Sequence, residues 1–215
     1  MRIVIAGGHG QIGLRLARIS AARGDEVVGL IRNPDHAADV SATGAVPVIC
    51  DLERASSREV AEAVGVADVV VFAAGAGPGS GAARKLTMDR DGAIMMLRAA
   101  EAVSAQYVMI SSVGAEAPPS GDDVFAVYLR AKAEADAAVM ASDRPWVIVR
   151  PGRLTSEPGS GRVAIEQEPV RGEISRDDVA AVLAALIDDR SAAGRVLYVN
   201  SGELPIDQAL RRATA

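Results

Sequence analysis

Aromatic side chains are scarce in this sequence: two phenylalanines, three tyrosines and one tryptophan make up 3% of 215 residues, against a hydrophobic fraction of 49%. The core must therefore come mainly from Ala, Val, Leu and Ile, a mixture that suits helices packed closely on a sheet. The lone cysteine, Cys50, excludes an internal disulfide and, ending an apolar run, reads as a small buried hydrophobe. Only two histidines are present, His9 and His36, in different predicted loops and without companion cysteines or carboxylates at ligand spacing, so no metal site is expected. Neither follows a Gly-x-Ser-x-Gly elbow, which leaves a hydrolase triad unsupported. A cationic excess is missing too: 23 Lys and Arg against 28 Asp and Glu give a formal charge of −5 and a pI near 5.1. That balance offers no field for a polyanion and argues against nucleic acid or an anionic membrane as partner. No apolar run approaches the roughly 18 residues that span a bilayer. The chain enters a strand at once, with no cationic signal region. A soluble, cytoplasmic protein is the expectation.

What is abundant is alternation of two kinds of segment. β-Branched runs at 2–6, 26–31, 46–50, 69–73, 107–111, 146–149 and 196–199 read as strands. Their nearly continuous apolar character suits parallel strands covered on both faces. Segments of helical period lie between them at 11–23, 56–64, 83–103, 123–141, 177–189 and 206–213. The pattern predicts an α/β fold, a Rossmann-type doubly wound parallel sheet in a single compact domain over 1–215. Proline- and glycine-rich stretches at 114–123 and 151–172 read as loops after strand ends, where an open α/β sheet places its ligand crevice. The substrate-side loops are accordingly expected near 76–84, 114–127 and 152–172.

The first strand runs into Gly7-Gly8-His9-Gly10-Gln11-Ile12-Gly13 and then a helical pattern. Two spacings are met together, Gly8-x-Gly10-x-x-Gly13 and Gly7-x-x-Gly10-x-x-Gly13. In this strand–turn–helix setting, glycines permit a tight turn, close approach of a pyrophosphate, and close helix–sheet packing. The phosphates would meet free N–H groups at the positive end of the helix. About 20 residues on, where an acid would accept from the ribose hydroxyls of NAD, the sequence has Arg32. A guanidinium pairs with a 2′-phosphate, so NADP(H) is favoured over NAD(H). Asp51 and Leu52 after the third strand, and Ala73, Ala74 and Gly75 after the fourth, fall on the rim where adenine and ribose would lie. Asp51 equally suits a helix cap.

Tyr128 and Lys132 stand four apart in a helical segment and share a face. Ser111 and Ser112 close the fifth strand. A phenol, an ammonium that favours its ionised form, and a hydroxyl to hold a substrate oxygen make a proton-transfer group for carbonyl or alcohol chemistry.

Together, Gly7–Gly13, Asp51-Leu52, Ala73-Ala74-Gly75, Ile110-Ser111-Ser112, Tyr128-Leu129-Arg130-Ala131-Lys132 and Val149-Arg150-Pro151-Gly152 resemble the short-chain dehydrogenase/reductase superfamily, in its atypical, compact epimerase- or dehydratase-like branch. The resemblance covers nearly the whole chain. It implies that Tyr128 is the acid/base, that Lys132 also grips the nicotinamide ribose, that Ser112 polarises the substrate oxygen, and that Pro151 and Gly152 line the nicotinamide pocket. Two departures stand out. Asp89 occupies the position where the superfamily often has an asparagine serving a proton relay. Only residues 151–215 follow Arg150, too few for the long substrate domain of sugar-nucleotide members. The leading expectation is an NADP-dependent oxidoreductase acting on a small-molecule carbonyl or alcohol, as monomer or homodimer. An epimerase or dehydratase that retains its cofactor, and a non-catalytic NADP(H) sensor, are the alternatives.

Overall fold

In the first strand, β1 (Arg2–Ala6), Ile3 and Ile5 face one helical layer while Val4 and Ala6 face the other, which is why the run carries no polar alternation. The computed structural model describes residues 1–77 and 79–215. Pro78, inside the expected loop 76–84, lies outside the described residues. Five further strands follow in the expected places: β2 (Glu26–Ile31), β3 (Val46–Ile49), β4 (Val69–Phe72), β5 (Gln106–Ile110) and β6 (Trp146–Pro151). Beyond them come β7 (Arg153–Thr155), β8 (Arg162–Glu166), β9 (Glu173–Ser175), β10 (Arg195–Ser201) and β11 (Leu204–Pro205). The main sheet has nine strands in the order β11-β8-β10-β6-β5-β4-β1-β2-β3. From β3 to β10 every pairing is parallel, so the fold is the doubly wound α/β arrangement expected from the sequence.

The helices divide between the two faces. One layer holds α1 (Gln11–Ala22), α7 (Arg176–Asp188) and α8 (Ile206–Thr214), packing Leu16, Val179, Leu183, Ile187 and Leu210 on the sheet. The other holds α3 (Ser57–Val64), α5 (Ala93–Ala102) and α6 (Val124–Met140), with Val60, Met96, Leu97, Ala135 and Val139 inward. Short α2 (Ala37–Ser41) follows β2. At the start of α3, Ser56 and Glu59 form a reciprocal capping box.

Three expectations need correction. The stretch 152–172 is not all loop, since β7 and β8 lie within it. Val163 and Ile165 of β8 are buried while Arg162 and Glu166 are exposed, a short half-buried alternation hidden among prolines and glycines. This strand pairs antiparallel with β10 and shields that side of the parallel sheet. The expected loops 76–84 and 114–127 are likewise trimmed, by α4 (Ala82–Arg84) and by α6 starting at Val124, where Asp123 caps Phe125 and Ala126. Finally, the helix expected over 83–103 is not uniform: α4 passes into a π-helical segment, Lys85–Gly92, before α5. Such wider turns recur at functional sites. Here the segment turns Lys85, Met88 and Asp89 toward the ends of the strands.

Candidate active site

A crevice of about 980 Å³ opens at the C-terminal ends of β1, β2, β4, β5 and β6, beside β1, from which the strand order departs in both directions. Open α/β sheets bind ligands at this point. Gly7, His9, Gly10, Gln11 and Ile12 line it, as do Asp51, Leu52, Ala73, Ala74, Gly75, Pro151 and Gly152. Gly8 and Gly13 do not. A Cβ on Gly8 would come within 2.7 Å of Gly29 Cα, and one on Gly13 within 2.2 Å of the Gly7 carbonyl oxygen, so these two glycines are required by backbone packing. Gly7 turns the chain at φ +82°.

Helix α1 starts at Gly10 with no side-chain cap and no acid in its first turn. Among the described residues its first N–H groups have no acceptor: the Gly10 N–H returns to the Gly7 carbonyl, and intrahelical bonding begins with Leu14. The crevice therefore presents free donors at the positive end of a helix, above a glycine cradle. This donor set fits a dinucleotide pyrophosphate.

At the end of the crevice beside β2, Arg32 is half exposed and stands 3.5 Å from the Glu53 carboxylate. Glu53, which sequence reasoning missed, also accepts from Arg84 Nε at 2.9 Å and from the Thr87 hydroxyl at 2.7 Å. Burial alone would raise its carboxyl, but the hydrogen bonds from Thr87 and Arg84 and the nearby guanidinium charges hold it below the usual range. Asp51 does not cap α3; its carboxylate accepts from the Glu53 N–H and shapes the turn. His9 and His36, expected apart, are brought together: their rings stack with centroids 3.6 Å apart, and His9 bonds Asp39 at 2.9 Å. Their separation of 27 positions carried no periodic signal. Cys50 is buried, and burial pushes its thiol up.

At the other end, Tyr128 and Lys132 share a face of α6 and line the crevice with Ser112. Lys132 is buried at 3% exposure. Its ammonium donates to the Ile110 carbonyl at 3.0 Å and pairs with Asp89 at 3.4 Å. Asp89 is fixed in turn by the Ala76 N–H at 3.2 Å. The departure from asparagine thus gives the buried lysine its counter-charge. Of the three tyrosines, Tyr107 donates to the Ala93 carbonyl and Tyr198 bonds Arg150, whereas the Tyr128 hydroxyl has no partner among the described residues. Ser112 donates to the Val113 carbonyl at 3.1 Å, so a ligand oxygen would have to draw the hydroxyl round. Ser111 takes another path, donating at 2.9 Å to Asp136, which is buried with Arg150 at 2.7 Å. Burial pushes the Asp136 carboxyl up despite those partners. This pair ties α6 to β6 behind the crevice.

Comparison with known proteins agrees with this geometry. A family model described as NAD(P)H-binding matches residues 7–190. The chain is 33% identical over 214 residues to a Bacillus subtilis protein named uncharacterized sugar epimerase YhfK, covering 99% of this chain and 100% of that one. A solved structure described as an NAD-dependent epimerase/dehydratase from Bacillus halodurans superposes with a TM-score of 0.90 at 33% identity, covering 99% of each chain. The oxidoreductase ylbE from Lactococcus lactis shares the fold, with a TM-score of 0.87 at 24% identity over 99% of this chain and 96% of that one. Among the described residues, no helix is long and apolar enough to cross a membrane. The glycine-rich turn, the uncapped helix and the family match agree: this chain belongs to the NAD(P)H-binding family and has its Rossmann-type fold.

Proposed function

We propose that this protein is an NADP(H)-dependent oxidoreductase acting on a small carbonyl or alcohol. The observation that carries the reading is the Tyr128 hydroxyl, without a partner among the described residues, on a crevice that also holds a buried lysine and an uncapped helix N-terminus. A bound nicotinamide supplies or accepts the hydride. In the reductive direction the Tyr128 hydroxyl gives its proton to the substrate oxygen; in the oxidative direction the phenolate takes it back. Ser112 swings from Val113 to hold that oxygen. Lys132 donates to the Ile110 carbonyl and is ion-paired with Asp89, which fixes the ammonium and leaves donor capacity for a ribose hydroxyl or the phenol. The N–H groups of Gln11 and Ile12 would hold the pyrophosphate. Arg32 supports NADP over NAD, because its contact with Glu53 is long enough to yield to a 2′-phosphate.

The test is spectroscopic. Purified protein is followed at the reduced-nicotinamide absorbance against a panel of carbonyls, and consumption of NADPH is expected. Cofactor retained through turnover without net consumption would instead favour an epimerase or dehydratase, the reading suggested by the names of the two 33%-identical relatives. Reversible binding with no turnover would leave a redox sensor.

A further inference from the structure

We propose, building on the oxidoreductase reading, that the substrate is a flat, apolar carbonyl compound bearing a carboxylate, and that Lys85 binds that carboxylate. The argument starts from the counter-charges of the crevice. Arg32 and Arg84 share Glu53, and Lys132 has Asp89. Lys85 is only 9% exposed, yet among the described residues no carboxylate lies within ion-pair distance of it. Its ammonium donates to the Gly77 carbonyl at 2.9 Å and lies 5.3 Å from the centre of the Tyr128 ring. A buried ammonium with only a carbonyl dipole and a ring face for company is poorly compensated. An anion brought in by a ligand would supply the missing charge, beside the hydroxyl assigned to proton transfer.

Arg176 is the other crevice cation without a carboxylate, donating to the Thr155 carbonyl and the Ser156 hydroxyl. Its guanidinium is already engaged by those two oxygens, at a different place from the Tyr128 ring. Lys85, beside Tyr128, is the one suited to the substrate.

The surrounding wall defines the rest of the molecule. Met88 and Leu154 line the crevice, and Val124 and Phe125 reach its edge at 43% and 63% exposure. The Phe125 ring lies 6.0 Å from that of Tyr128, tilted by 30°. Large apolar side chains left open to water beside a cleft mark a binding surface. A sugar ring, with hydroxyls on all sides, would find few hydrogen-bonding side chains among them. A planar ring would cover both aromatic faces while its carboxylate reached Lys85 and its carbonyl reached Tyr128.

Calorimetric titration of the NADP⁺-loaded protein tests this without turnover, since the oxidised cofactor has no hydride to give. The probes are benzoylformate, which has ring, keto group and carboxylate, acetophenone, which has a methyl in place of the carboxylate, and UDP-glucose. Benzoylformate is expected to bind roughly ten- to a hundredfold more tightly than acetophenone, the gain from one charge-assisted contact. Lys85→Met should abolish that difference with NADP⁺ affinity unchanged, and Lys85→Arg, which keeps a cation, should preserve it. Equal binding of the two aromatic probes, no binding of benzoylformate at millimolar concentration, or tighter binding of UDP-glucose overturns the proposal. So does loss of NADP⁺ affinity in Lys85→Met, which would place Lys85 on the cofactor. Failure of the parent to take up NADP⁺ overturns the oxidoreductase reading and this proposal together; uptake without discrimination between the probes overturns this one alone.

Discussion

Arg32→Ala removes a guanidinium at the end of β2 that the proposed function sets against the 2′-phosphate, the single group by which the two dinucleotides differ. A charge-assisted hydrogen bond of this type contributes about 1.5–3 kcal/mol. Two features of the structure move the expectation to the low end. The Arg32 side chain is 54% exposed, so water screens the contact. It must also loosen from Glu53, 3.5 Å away. A net contribution of about 1.4 kcal/mol follows, or about tenfold in affinity. Arg32→Ala should therefore weaken NADP⁺ binding about tenfold and leave NAD⁺ nearly unchanged. Glu53→Gln should act in the opposite sense, strengthening NADP⁺ by several-fold, because it removes a negative charge facing the phosphate. Calorimetric titration of both cofactors into parent and variants decides the matter, and the parent's preference should shrink as ionic strength rises. A parent that prefers NAD⁺, or an Arg32→Ala protein with unchanged selectivity, would refute the reasoning and leave Arg32 with Glu53 and solvent.

Tyr128→Phe should lower turnover by roughly a hundredfold or more on a verified substrate while cofactor affinity stays nearly intact, whereas Lys132→Ala should reduce both; equal behaviour of the two variants in steady-state kinetics and titration contradicts the division of roles. Gly10→Val keeps an ordinary backbone conformation, at φ −63°, but sets its side chain 3.0 Å from the Gly7 carbonyl at the crevice wall, so the folded variant should lose dinucleotide binding; retained binding places the pyrophosphate elsewhere. Glu53 makes a pH-dependent contribution to stability. Its folded carboxyl lies below the usual value of 4.5, so the stabilisation is present above that value and is lost as pH falls through the lower, folded one. The melting temperature of the parent should exceed that of Glu53→Gln near neutrality and converge with it in acid; a gap that persists at low pH would show that shape, not charge, holds the bridge.

The fold was legible because its signal is local and repeated. Ile3-Val4-Ile5, Val69–Phe72 and Val108–Ile110 are apolar without alternation because helices cover both of their faces, and that condition is visible in the residues themselves. β8 escaped because its two inward residues, Val163 and Ile165, make too short an alternation to stand out among four glycines and three prolines. β11 is two residues long, too short a run to register as a strand in the sequence. The π-helical segment had no signal at all. Nothing in Lys85-Leu86-Thr87-Met88-Asp89-Arg90-Asp91-Gly92 departs from a helical pattern, and the segment packs against α6, a contact distant in sequence.

The candidate site was legible where chemistry sits in adjacent positions and illegible where it depends on charges meeting across elements. The glycine-rich turn and the Tyr128–Lys132 spacing are read within one strand–helix step or one helical turn. The counter-charges are not: Asp89 reaches Lys132 from 43 positions away, and Glu53 reaches Arg84 from 31. These partners decide what each cation can still do. Lys132 is paired with Asp89 and held in place, suited to orienting a ribose or the Tyr128 phenol. Lys85, four positions before Asp89 on the same π-helical segment, has no such partner among the described residues and keeps its full charge for a ligand. Asp89 therefore distinguishes two buried ammonium groups on one crevice, and under the proposed reading it is through that distinction that substrate choice is set.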